Sequence, residues 1–140
     1  MLPNVLVLDD DVNILAAFRD FFDKEHCTMT SASTPEDAAR LMEDQQFDLL
    51  ITDVRLKSSS GVTFFLNAKV THPYLPVIVI TGYPESIDDH TLKLIGADYL
   101  LIKPLELDKL RQAVRSCLQK RDFDISHRSE LSKHPRKEHQ

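Results

Sequence analysis

Val5-Leu6-Val7-Leu8-Asp9-Asp10-Asp11 is the stretch that decides how this chain is read. Four apolar residues in a row, without the alternation of a half-exposed strand, read as a strand covered on both faces. Three acids then stand at its carboxyl end. Two unit charges about 4 Å apart repel by roughly 1 kcal/mol in water and by several times more near protein. A fold that crowds carboxylates in this way usually places a cation among them, and hard divalent ions such as Mg²⁺ take oxygen ligands of this kind. The opening residues therefore predict a metal site at one edge of a parallel sheet.

Further along the chain, apolar runs recur at 27–32, 49–52, 77–81 and 99–102, the first of them weak. Amphipathic stretches separate them. Ile14, Leu15, Phe18, Phe21 and Phe22 form one helical stripe. Thr34-Pro35-Glu36-Asp37 starts a second helix: a capping hydroxyl, proline at the first helical position, then acids at the positive end of the dipole. Val62, Phe65, Leu66 and Lys69 follow Gly61 as a third, stopped by His72-Pro73. Residues 86–95 form a more polar fourth, closed by Gly96, and Leu107, Leu110, Val114 and Leu118 stripe a fifth. Five βα units predict a doubly wound parallel sheet with helices on both faces, a three-layer α/β/α arrangement. Right-handed crossovers collect the functional strand ends on one edge.

A chain of 140 residues, 42% apolar, forms one domain with one sizeable core. Its net charge of −5 argues against a nucleic-acid surface, so no direct nucleic-acid contact is expected from this segment. No apolar stretch is long enough to span a membrane, and the first residues lack a signal peptide's basic region. Cys27 and Cys117 read as reduced core or half-buried thiols, and the expected location is the cytoplasm. After about Lys120 the apolar pattern stops, so the domain is placed at 1–121, with 122–140 a flexible polar tail or the start of a linker.

Ligands of a doubly wound sheet sit beyond the carboxyl ends of its strands. Here those ends carry Asp9, Asp10 and Asp11, then Asp53, then Thr81-Gly82, then Lys103-Pro104. Taken singly, an aspartate after a strand is a turn former or a cap, a threonine is a strand residue, and Lys-Pro starts a loop. Together they bring acids, a hydroxyl and an ammonium to one edge from four strands. That set suits phosphoryl chemistry. A carboxylate such as Asp53 can attack phosphorus without a general base. Mg²⁺ neutralises the transferring group, while a hydroxyl and Lys103 pair with its oxygens. Gly82 leaves room for the backbone to approach a phosphate. Asp11 reads instead as the N-cap of the first helix.

The chain resembles the receiver domain of bacterial two-component response regulators over roughly residues 4–120. The matching motifs are Val7-Leu8-Asp9-Asp10, Ile51-Thr52-Asp53 with Gly61 eight residues on, Ile80-Thr81-Gly82, and Lys103-Pro104. Spacings of 28 from Asp53 to Thr81 and 22 from Thr81 to Lys103 are also similar to the family's. The resemblance implies a flavodoxin-like sheet of order 2-1-3-4-5 with five helices. It implies that Asp53 accepts a phosphoryl group from the phosphohistidine of a sensor histidine kinase or phosphotransfer protein. Asp10 would ligate Mg²⁺ directly and Asp9 largely through water, with Asp53 and the backbone carbonyl of Arg55 completing the protein's share. Thr81 would move toward the acyl phosphate and Lys103 pair with it. The chain would then be no enzyme beyond its own phosphorylation and dephosphorylation. It would switch the face made by the fourth helix, fifth strand and fifth helix, a surface for a partner or a phosphorylation-dependent homodimer, within a transcription regulator or as a single-domain regulator.

Three positions depart from the family's pattern. Lys57, followed by Ser58-Ser59-Ser60, stands where proline is usual, which predicts a more mobile loop. Leu100 replaces the switch aromatic, and Tyr99, one residue earlier, should point to the opposite face. Arg55 and Tyr83, two residues beyond Asp53 and Thr81, should flank the phosphoryl group and slow its loss to water. Two other readings compete. One is a haloacid dehalogenase-like phosphatase with Asp9 as nucleophile and Asp11 as acid; the other is a receiver-like interaction module that takes no phosphate.

Overall fold

Three strands of the sheet admit almost no water on either face. In the computed structural model, which describes residues 2–56, 59–83, 89–94 and 96–133, the parallel sheet comprises β1 (Asn4–Leu8), β2 (Thr28–Ala32), β3 (Leu49–Asp53), β6 (Val77–Thr81) and β7 (Tyr99–Ile102). Its order is β2-β1-β3-β6-β7. The two intervening strands, β4 (Arg55–Leu56) and β5 (Ser59–Ser60), form a separate antiparallel hairpin. With the hairpin set aside, the order is the expected 2-1-3-4-5. Five helices complete the fold: α1 (Val12–Lys24), α2 (Pro35–Asp44), α3 (Gly61–Thr71), α4 (Asp89–Leu94) and α5 (Leu107–Lys133).

Side-chain alternation divides the core in two. Leu6, Leu8, Leu50, Val77 and Val79 face Phe64, Phe65 and Leu92 on the α2–α3–α4 side. Val5, Val7, Leu49, Ile51, Ile78 and Ile80 face Phe18, Phe22, Leu110 and Val114 on the α1–α5 side. Each such aliphatic or aromatic burial contributes roughly 1.5–3 kcal/mol, so the three central strands are the most firmly held part of the molecule. At β7 the same alternation sends Leu100 to the α4 side and Tyr99 to the α1–α5 side, as the spacing predicts.

The helix starts follow their caps. Asp11 accepts hydrogen bonds from the Asn13 and Ile14 N–H groups at 2.9 and 3.4 Å, and Thr34 Oγ1 accepts from Asp37 N–H at 3.2 Å. Pro35 occupies the first turn of α2. Of the fourth helix expected at 86–95, positions 86–88 and 95 lie outside the described residues. Gly96 adopts φ 112°, and the chain there closes α4 with the Gly96 and Ala97 N–H groups donating to Lys93 and Leu92 carbonyls.

The fifth helix does not stop near Lys120. It runs on to Lys133, so 122–133 of the segment expected to be a tail or the start of a linker continue α5 as helix, and 134–140 lie outside the described residues. The apolar stripe ends at Leu118, but residues 119–133 hold neither glycine nor proline, and the first proline is Pro135. A helix can outlast its apolar face when nothing breaks it. Of the loop expected to be mobile after Asp53, residues 55–56 and 59–60 pair as the β4–β5 hairpin, and 57 and 58 lie outside the described residues.

Candidate functional site

Strand register assembles the site. Leu8 pairs with Thr52, Asp53 with Ile80 and Thr81 with Ile102. Asp9, Asp53, Thr81 and Lys103 therefore lie along one edge of the sheet, on four strands or just beyond them. Lys103, in a cis peptide with Pro104, reaches back across β6. Its Nζ lies 2.8 Å from Asp53 Oδ2 and 3.1 Å from Asp9 Oδ2. Asp9 is completely buried and Asp53 nearly so.

Each carboxylate is oriented by its own loop. Asp9 Oδ1 accepts from Asp11 N–H at 2.9 Å, and Asp53 Oδ1 accepts from Arg55 N–H at 3.1 Å. Asp9 Oδ2, however, is buried without a hydrogen bond; the Lys103 ammonium is near it but not aligned with it. Burial pushes the Asp9 carboxyl above the usual carboxylate range, opposed by the Asp11 N–H and by Lys103. Burial also works against the charge on Lys103, but its hydrogen bond to Asp53 and the nearby Asp9 carboxylate outweigh that and hold its pKa above the ordinary value.

Oxygen atoms of Asp9, Asp10 and Asp53 all lie within 4.8 Å of one another. Mg²⁺ binds oxygen at about 2.0–2.1 Å, so one ion can bridge such a set. The closeness of three carboxylates and the orphaned buried oxygen of Asp9 both fit an added positive charge. The acidic pocket can hold a divalent metal.

The backbone beneath Asp53 is tightly packed. A Cβ on Gly61 would collide with the Asp53 carbonyl oxygen and come within 2.9 Å of Thr52 Oγ1. Thr52 Oγ1 itself donates to that carbonyl at 3.1 Å. In the sequence Gly61 and Thr52 stand only as parts of the Asp53 motif, and nothing there signals their contact with each other. Gly82 is less constrained: a Cβ there would meet Lys103 at 3.9 Å, ordinary contact, so protein packing alone does not demand glycine.

Thr81 is buried, and its Oγ1 accepts from Tyr83 N–H at 2.9 Å. The Arg55 guanidinium stacks on the Tyr83 ring, 4.4 Å from its centre. The two residues expected to flank the site therefore touch each other. A hollow of about 800 Å³ between α2 and α3 is lined by Ala39, Met42, Phe64 and Ala68 among others and is not lined by Asp9, Asp10 or Asp53. The strand-end cluster of Asp9, Asp10, Asp53 and Lys103 lies elsewhere. The complete burial of Asp9 also disfavours it as the nucleophile of a phosphatase.

A family model described as response regulator receiver domain matches residues 5–115. The chain is 30% identical over 121 residues to the alginate biosynthesis transcriptional regulatory protein AlgB of Pseudomonas syringae, covering 85% of this chain and 27% of that protein. It is 32% identical over 118 residues to the response regulator protein PilR of Pseudomonas aeruginosa, covering 84% of this chain and 26% of the relative. The chain thus spans about a quarter of the length of these curated relatives. Among solved structures, a CheY-like response regulator receiver domain protein from Methanospirillum hungatei superposes with a TM-score of 0.82 at 25% identity, over 89% of this chain and 99% of that one.

Proposed function

The chain belongs to the response regulator receiver domain family of two-component systems, and within it we propose that Asp53 is the phosphoacceptor of a Mg²⁺-dependent switch. The observation that carries this reading is the Lys103 ammonium lying between Asp53 and Asp9, at 2.8 and 3.1 Å, inside a cluster of three carboxylates. Asp9, Asp10, Asp53 and the backbone carbonyl of Arg55 would hold Mg²⁺. The bound ion supplies charge neutralisation on the transferring phosphoryl group.

An Asp53 oxygen forms a bond to phosphorus as the phosphorus–nitrogen bond of a phosphohistidine breaks, and the imidazole leaves. The donor is a sensor histidine kinase or phosphotransfer protein. Lys103, already within 2.8 Å of Asp53, pairs with a phosphoryl oxygen. The Thr81 hydroxyl turns from Tyr83 N–H to donate to another. That turn frees the loop after β6 and shifts the face formed by α4, β7 and α5, the surface for a partner or a phosphorylation-dependent homodimer. Leu100 transmits the change there without an aromatic ring. The relatives' names support a place in a transcription regulator; the reading places it in the cytoplasm, with residues 1–121 as receiver and 122–140 as tail or linker.

Incubation with acetyl phosphate and Mg²⁺ tests the reading. The expected product carries one acid-stable, base-labile phosphoryl group, lost in Asp53→Asn and retained in Asp9→Asn. Labelling that persists in Asp53→Asn would refute the assignment.

A further inference from the structure

At the opposite edge of the sheet, the strands leading to Asp53 and Lys103 each begin behind an aspartate. Both aspartates grip α5 at adjacent residues. Asp48, before β3, accepts from Asn4 N–H at 2.8 Å through Oδ2 and from Arg121 Nε at 2.9 Å through Oδ1. Asp98, before β7, accepts from Val77 N–H at 2.9 Å through Oδ2 and from Lys120 Nζ at 2.7 Å through Oδ1. Each carboxylate therefore ties a strand start to the helix. The Asp98 hydrogen bond also holds the Lys120 ammonium's pKa above its ordinary value.

These grips fall where apolar packing ends. Ala113, Val114 and Cys117 are buried in the core, and Leu118 is the last of the stripe. One turn past the grips, Ile125 lines a hollow with Phe47, Tyr74 and Leu75. The helix then continues to Lys133, twelve residues beyond Arg121 and about 18 Å at 1.5 Å per residue.

We infer that residues 119–133 form an output arm seated by Asp48 and Asp98, and that changes at Asp53 and Lys103 reach this arm along β3 and β7. Each strand has its site residue at or just past its carboxyl end and a grip just before its amino end. Strands of four or five residues inside a packed sheet move as units rather than bending. A pull on Lys103 is therefore felt at Asp98, and one on Asp53 at Asp48. The second half of this inference rests on the proposed phosphorylation of Asp53; the first half does not.

Amide hydrogen exchange on the full 140-residue chain separates the two. Without a phosphodonor, Lys120→Gln with Arg121→Gln should speed exchange over 121–131 about fivefold, the weight of two exposed or partly exposed ion pairs, and leave 109–117 unchanged. Arg121→Lys should restore part of the protection. These substitutions keep both aspartates and their strand-start bonds, so the core survives. Equal exchange in the wild-type and double-variant arms would overturn the seating. With acetyl phosphate and Mg²⁺, intact mass reports phosphoryl uptake in the same samples. The wild-type arm should change its exchange about twofold or more while the double variant does not respond. Full uptake with an unaltered arm would overturn the coupling; absence of uptake would overturn the reading of Asp53 and leave the donor-free comparison to decide the seating.

Discussion

The two edges of the sheet carry the same kinds of residue to opposite effect. At the amino edge, Asp48 and Asp98 each satisfy one oxygen with a strand N–H and the other with a cation, two acids against two bases. At the carboxyl edge, Asp9, Asp10 and Asp53 crowd together, Lys103 lies against Asp9 and Asp53, and one Asp9 oxygen has no hydrogen bond. The first edge is electrostatically closed and holds structure together. The second leaves one buried carboxylate oxygen without a donor, and its three acids lie close enough together to hold a metal. What separates the two sets of acids here is how fully their oxygens are satisfied, not the residue type.

Removing Lys103 tests that contrast most severely. Lys103→Ala leaves buried carboxylates without their cation and should cost about 3 kcal/mol of stability in metal-free buffer. Chemical denaturation with and without Mg²⁺ would check it, with part of the loss recovered by the metal. Gly61→Ala should cost about 2 kcal/mol, because the new methyl group displaces the Asp53 carbonyl, and phosphorylation by acetyl phosphate should slow in parallel. The sharpest form of the comparison is a difference in sign. Asp9→Asn relieves crowding and should raise metal-free stability by about 1 kcal/mol, whereas Asp98→Asn loses a charge-assisted bond and should lower it by about 1 kcal/mol. Thermal melts of the two variants would settle it; a loss in both would mean that the two edges do not differ as described. The smallest effect concerns the Arg55–Tyr83 stack. A cation–π contact contributes about 0.5–1 kcal/mol at exposed sites, so Arg55→Ala or Tyr83→Ala should speed decay of the phosphorylated protein about threefold. Equal or slower decay would show that the stack does not shield the site.

Much of the fold is legible in the sequence because β1, β3 and β6 are buried on both faces, and their continuous apolar runs follow directly. The β2 strand reads weakly because, at the sheet's edge, Thr28 is exposed and Met29, Thr30 and Ser31 are only partly covered. Asp11 and Thr34 are legible as caps because a short polar side chain before an apolar period has one obvious use. The acids, Thr81 and Lys103 are legible as a set because four strand ends point the same way. The β4–β5 hairpin is not, since two-residue strands carry no period. Nor is the course of α5 beyond Leu118, because its holds are long-range ion pairs rather than an apolar stripe. Asp48 and Asp98 stay hidden for the same reason: a lone aspartate before a strand looks like any turn.

The stacked Arg55 and Tyr83 have a practical side as well. The chain contains no tryptophan and three tyrosines. Tyr99 packs against the α1–α5 core, whereas Tyr83 is half exposed, stands two residues past Thr81 and lies against the side chain two residues past Asp53. Its emission is therefore open to change whenever the surroundings of Asp53 change. The molecule carries its own optical reporter, and titrations at this site can be followed by ultraviolet fluorescence without attaching a dye.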